Sequence, residues 1–176
     1  FSVFTPFKRR WVENFDMNFL DIAMPSKSKR FSSIQGDISN LKFTKTHCAN
    51  IDLWPAGESA AKEKLKNFLQ LKSKSYSASR NSPIIDGTSR ISPYLALGVL
   101  SPKRCILEGL KLNNFEFSSG NKGICKWIDE IVWREFYRNI MHSFPKVSQN
   151  RPFQDYTNSI QWRHSSKELE AFYTGN

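Results

Sequence analysis

The chain has 176 residues, 14% of them aromatic, with five Trp and fourteen Phe, which excludes a disordered tail and allows a core of its own. Its net charge of +10 points to a polyanionic partner, most simply nucleic acid, unless it only reflects a Lys- and Asn-rich composition. Cys48, Cys105 and Cys125 are scattered without a CxxC pair, and His47 beside Cys48 has no second ligand pair, which argues against structural zinc and fits a reducing, cytoplasmic setting. No apolar stretch approaches the roughly 18 residues of a membrane span, so no membrane association is expected. There is no signal peptide, and the chain starts at Phe1 rather than Met, which suggests an internal piece of a longer protein.

In chain order, Phe1-Ser2-Val3-Phe4 reads as a short strand, followed by a basic helix with Thr5 as N-cap and Pro6 at N1. From Pro25 to Asn50, serines, lysines and isolated apolar residues alternate without period, which is linker composition. Order returns at Trp54. Ala61, Leu65, Phe68 and Leu69 predict a helix from about Glu58 to Leu71. The polar stretch from Lys72 to Asn81 reads as a solvated loop, and Pro83 to Gly87 as a turn. Ser92-Pro93 and Ser101-Pro102 each read as the N-cap and N1 of a helix, the second running through Ile106, Leu107 and Leu110. A long helix is expected from about Lys126 to Ser143. Ser165-x-x-Glu168 predicts a capping box for a last helix carrying Leu169 and Phe172. From residue 54 onward the pattern is helical, with no strand pair and no internal repeat.

The most informative stretch is 127–138. Ile128, Val132 and Phe136 recur at i, i+4, i+8 and form an inward stripe. Glu130, Trp133, Arg134 and Tyr137 recur at i, i+3, i+4, i+7 and share a second face. That face offers a carboxylate, an indole, a guanidinium and a phenol together. The plain alternative is an amphipathic core helix with an Arg-Glu pair and buried aromatics. Thr88-Ser89-Arg90, between a glycine and a helix start, would suit a phosphate or pyrophosphate. Tyr76 and Arg80, four apart, could add a stacking surface and a phosphate contact, or belong to a solvated loop. Trp162 reads as a half-buried indole or as a surface electron relay. His142 and His164 have no acid–nucleophile partners, and neither a Walker loop nor GxGxxG occurs.

Five segments in this order resemble the DNA photolyase/cryptochrome family, specifically bacterial class I cyclobutane pyrimidine dimer photolyases. They are Ser2-Val3-Phe4-Thr5-Pro6-Phe7, Gly87-Thr88-Ser89-Arg90-Ile91-Ser92, Leu97-Gly98-Val99-Leu100-Ser101-Pro102, Glu130-Ile131-Val132-Trp133-Arg134-Glu135-Phe136-Tyr137 and Asn150-Arg151-Pro152-Phe153. The resemblance covers nearly the whole chain and is weakest between Met24 and Asn50. It implies a mainly α architecture. Residues 1–24 would end an α/β antenna domain, 25–53 would be the interdomain linker, and 54–176 would be the first part of the helical FAD- and DNA-binding domain.

The activity implied is light-dependent repair of cyclobutane pyrimidine dimers, with an electron passing from reduced FAD to a flipped-out dimer. By the same resemblance, Tyr76, Thr88, Ser89, Arg90, Ile91, Ser92, Trp127 and Arg134 would hold FAD. Arg80, Glu130, Trp133 and Tyr137 would meet damaged DNA. Glu130 would bond the lesion and steady its charge. Trp133 would stack on the flipped dimer. Trp162 would be the outermost member of an electron-transfer chain. A folate antenna would bind outside this chain, and the protein would be monomeric. The piece alone would neither hold FAD tightly nor repair DNA, and some of its apolar helix surface would lack a partner. The alternatives are a cryptochrome-like FAD photoreceptor without repair activity and a basic helical DNA-binding module without cofactor. Trp133 beside Glu130 favours repair over the first, and the ordered motifs count against the second.

Overall fold

The fold was taken from a computed structural model, which describes residues 1–20 and 51–175. The expected linker from Pro25 to Asn50, with His47 and Cys48, lies outside these residues. Seven α-helices, joined by short 3-10 turns, make up the described chain: α1 (Phe4–Glu13), α2 (Glu58–Leu71), α3 (Tyr76–Ser79), α4 (Ser92–Ala96), α5 (Pro102–Leu112), α6 (Lys122–Ser143) and α7 (Ser166–Thr174). No strand forms among the described residues.

Helix α6 is the axis of the fold. Its stripe of Ile124, Trp127, Ile128, Ile131, Val132, Phe136 and Ile140 is buried, and α1, α3 and α5 all pack on it. Full burial of each such side chain is worth about 1.5–3 kcal/mol. Helix α2 adds Ala61, Leu65, Phe68 and Leu69, the four residues its spacing predicts. Trp127 meets Phe68 with ring centroids 5.3 Å apart. Cys105 fills a gap in α5, where burial pushes its thiol up to about 12, so it packs there as a neutral group.

The start of α6 lies a full turn before the expected Lys126. Asn121 is its N-cap, and the side-chain oxygen accepts from the amides of Gly123 and Ile124 at 2.9 and 3.1 Å. The buried Asn113 fixes this corner by accepting from the Asn121 amide at 2.8 Å and donating to the Glu116 and Ser119 carbonyls. Gly123 faces the carbonyls of Ser73 and Lys74 so closely that any Cβ would collide with them. The absent side chain lets α6 rest directly on that turn.

Three further expectations are corrected. Residues 1–4 form no strand. Phe4, Phe7 and Trp11, at i, i+3, i+7, begin a helical stripe that packs inward, and Val3 rather than Thr5 is the N-cap. Pro6 is tolerated because the first four amides of a helix have no intrahelical acceptor. The stretch 72–81 is no solvated loop. Ser73, Tyr76 and Ser79 are buried, and the Ser73 hydroxyl donates to the Leu69 carbonyl at 2.6 Å. Helix α4 is capped at Ile91 with Ser92 at N1, and it runs for only five residues. The expected capping box does start α7, where the Ser165 hydroxyl accepts from the Glu168 amide at 3.4 Å. The Glu168 carboxylate turns instead to Arg163.

Candidate nucleic-acid and cofactor site

The second face of α6 opens into a shallow groove of about 870 Å³ lined by Glu130, Trp133, Arg134, Tyr137, Arg138 and Met141. The structure thus brings together all four residues that the spacing predicts. Glu130 is charge-paired twice, by the Arg80 guanidinium and by the Lys126 ammonium at 3.9 Å. The hydrogen bond to Glu130 holds the Arg80 guanidinium above its ordinary pKa, so it stays charged. Arg80 also lies over the Tyr76 ring, 5.5 Å from its centroid, as a cation–π contact. Burial raises the Tyr76 phenol, the Glu130 carboxylate raises it further, and Arg80 opposes both. The phenol is therefore a neutral hydrogen-bonding group beside a fixed ion pair.

The remaining charges on this face are partly engaged. Glu135 pairs with Arg134 at 3.1 Å and with Arg138 at 3.3 Å. The plain reading of the helix, a packed stripe with an Arg-Glu pair, therefore holds together with the open polar-aromatic face. Trp133 is only half-buried and takes part in an aromatic cluster with Phe4, Phe136 and Tyr137.

A second cleft, of about 630 Å³, lies between α2 and the 86–90 segment. Thr88, Ser89, Arg90, Lys64, Lys72 and Asp86 line it. Arg90 adopts a left-handed backbone (φ 49°), which is unfavourable for a residue with a side chain. It is tied down by the Trp54 indole, which donates to its carbonyl at 2.8 Å, and by an ion pair with Asp86 at 3.1 Å. Gly87 packs against Ser79 where a Cβ would not fit. Lys64 and Lys72 are not among the residues that the sequence motifs single out. The signal was available, since Lys64, Asn67, Leu71 and Lys72 follow i, i+3, i+7, i+8 beside the apolar stripe of α2 and all line the cleft.

The expected cofactor set is divided. Thr88, Ser89 and Arg90 line the second cleft, and Arg134 lines the groove on α6. Tyr76, Ile91 and Trp127 line neither. They are core residues, and Trp127 is only 2% exposed because Phe68 and Gly109 close over it. Ser92 is exposed and lines neither opening. The phosphate argument from a helix start at Ser92 is corrected as well. Five residues make too short a helix for a useful dipole, so the hydroxyls and cations must serve instead. Trp162, read either as a half-buried indole or as a surface electron relay, is 75% exposed and lines neither opening. The second cleft offers a diphosphate two hydroxyls, an arginine and two lysines, against three lining carboxylates, Asp52, Glu63 and Asp86, of which Asp86 pairs with Lys72 and Arg90.

No family model matches the chain. Curated relatives do. The deoxyribodipyrimidine photo-lyase of Buchnera aphidicola from Acyrthosiphon pisum is 33% identical, over 100% of this chain and 36% of that protein. The enzyme of the same name from Escherichia coli K12 is 31% identical, over 99% of this chain and 37% of its own length. Among solved structures, a bacterial class III photolyase from Agrobacterium tumefaciens superposes with a TM-score of 0.71 at 29% identity, over 99% of this chain and 36% of that one. The chain thus spans a little over a third of the length of these relatives. Sequence relatives and a structural neighbour both match this chain over almost its whole length: the chain belongs to the DNA photolyase/cryptochrome family.

Proposed function

We propose that the protein carrying this chain repairs cyclobutane pyrimidine dimers in DNA in a light-dependent reaction, and that α6 supplies the wall on which the lesion is held. One observation carries the reading: Trp133, Glu130, Arg134 and Tyr137 line a single open groove. Trp133 offers an indole surface for an unstacked base, since chemistry on a base in a duplex requires its extrusion. Glu130, paired with Arg80 and Lys126, accepts hydrogen bonds from the flipped pyrimidines or the neighbouring base. Arg80 and Arg138 meet the phosphates with a share of the +10 net charge.

FAD, when bound, supplies the light-driven electron. Thr88, Ser89, Arg90, Lys64 and Lys72 would hold its diphosphate, and Arg134, in the groove on α6, would meet another part of the flavin. Tyr76, Ile91 and Trp127 would serve beneath these groups by fixing the walls that carry them. Trp162, exposed, would be the solvent-side end of an electron path. We further propose the division into 1–24, 25–53 and 54–176, with α1 as the seam where the antenna part meets the helical part. The relatives bear the name of pyrimidine-dimer lyases, which supports repair over photosensing.

Removing the indole tests the reading. Trp133→Ala is expected to cost about 1–3 kcal/mol of affinity for a single strand carrying one cyclobutane dimer, and little for the undamaged strand. Equal affinities of the unaltered and Trp133→Ala chains for the dimer would sink it.

A further inference from the structure

Phe4 and Trp133 lie face to face, with ring centroids 3.7 Å apart and planes 7° from parallel. The groove is lined by Trp133 but not by Phe4, so the phenyl ring backs the indole away from the open side. Phe136 meets the same indole edge-on at 5.4 Å and 85°, and Tyr137 lies near-parallel to it in an offset stack at 5.6 Å and 29°. An indole held on its back and edge cannot swing about its side-chain torsions without breaking the stack. Its open surface therefore keeps one direction.

Phe4 is not a loose end resting on the indole. Phe7 packs against Phe136 with ring centroids at 5.4 Å. The Lys8 ammonium sits 2.6 Å from Oδ1 of Asp129, a buried oxygen with no hydrogen bond of ordinary geometry. The Asn139 side chain donates to the Phe1 carbonyl at 3.2 Å. These contacts hold α1 on α6 on both sides of the stack.

We infer that Phe4 is a positioning residue, which fixes the plane of Trp133 so that the indole presents one preformed face to a flipped-out base. The inference rests on the role given to Trp133 above. A platform free to turn must be ordered when the base arrives, which weakens binding, whereas a platform already stacked on its back loses little freedom. The selectivity follows from the same geometry. An extruded base needs the platform, and an undamaged strand held by its phosphates does not.

The test measures affinity of the whole 176-residue chain for a single-stranded oligonucleotide with one cyclobutane thymine dimer and for its undamaged twin. Phe4→Leu is expected to weaken dimer binding about three- to tenfold and to leave the undamaged strand unchanged. Phe4→Tyr, which restores the ring, is expected to restore the ratio. Phe7→Leu loosens α1 but spares the stack and is expected to keep the ratio. Should Phe4→Leu unfold by circular dichroism, Phe4→Met refills the volume without a ring and carries the same expectation. An unchanged ratio in the ringless variant, while Trp133→Ala loses it, overturns the role of Phe4 alone. So does a Phe7→Leu loss as large as that of Phe4→Leu, which would assign the effect to docking of α1. If Trp133→Ala keeps the ratio, or the unaltered chain shows no preference for the dimer, the reading of Trp133 falls and this inference falls with it.

Discussion

Helices α6 and α7 both carry an apolar stripe, and only one of them is buried. Eight residues of α6 are buried, whereas α7 has none, and its Leu169, Phe172 and Tyr173 face solvent. Both have an N-cap that works: Asn121 for α6 and Ser165 for α7. The difference lies in the neighbours. Helices α1, α3 and α5 converge on α6, and no described element packs extensively on α7. A stripe states which side of a helix gains from burial, and the rest of the fold decides whether that gain is realised. Nine residues are too few for a helix to be stable in water by itself, so the caps of α7 matter more than those of α6.

The contrast can be broken most severely in the middle of α6. Trp127→Ala leaves a large void between Phe68 and Gly109, and a loss of about 3–5 kcal/mol is expected in chemical denaturation. A loss under 1 kcal/mol would mean that α6 does not organise the core. Next in size is the seam between α1 and α6. Lys8→Ala leaves the buried Oδ1 of Asp129 without its cation, at an expected cost of about 1–3 kcal/mol. Restoring that stability with a further Asp129→Leu change would confirm that the unpaired charge, not lost packing, is responsible.

A smaller effect is expected at the second cleft. The hydrogen bond from Lys72, aided by its charge and that of Arg90, holds the Asp86 carboxyl below its ordinary range. A depressed folded-state pKa means stability that is present above the unfolded value and is lost as pH falls through the folded one. The thermal midpoint should therefore drop on acidification below about pH 4, and less so in Asp86→Asn. Identical acid profiles for the two proteins would show that the ion pairs contribute nothing there. The smallest change is expected on α7, where Phe172→Ser should alter stability by no more than about 0.5 kcal/mol while raising solubility. A clear destabilisation would reveal a neighbour for that face.

How much of this was legible in the sequence depended on whether the information was local. Helix α2 was readable to both ends because its four apolar residues repeat without interruption. The first turn of α6 is not legible in the spacing because Gly123 and Cys125 do not extend the stripe that the Asn121 cap precedes. Ser73 and Ser79 look like solvent residues, yet a serine whose hydroxyl returns to a carbonyl of its own helical turn can be buried at little cost. The misread strand at 1–4 offered two-residue alternation over too short a span, against a three-and-four spacing that runs on to Trp11. The polar-aromatic face of α6 was readable because all of it lies on one helix. What faces it was not. The pairing of Arg80 with Glu130 joins residues 50 positions apart, and the Phe4 stack joins α1 to the middle of α6. The clefts themselves also depend on which aromatics are enclosed, and spacing could not distinguish Trp127, which is, from Trp133, which is not.

The bare backbone at Gly123 has one more consequence. Along α6 each residue advances about 1.5 Å and turns about 100°. Glu130 lies two turns beyond the glycine, and Arg80 extends from the short helix that follows the very turn on which the glycine rests. A slip of α6 by one position would bring a side chain onto the Ser73 and Lys74 carbonyls and swing Glu130 away from Arg80. The glycine therefore acts as an index mark: it admits one rotational phase of the helix, and at that phase carboxylate and guanidinium face each other.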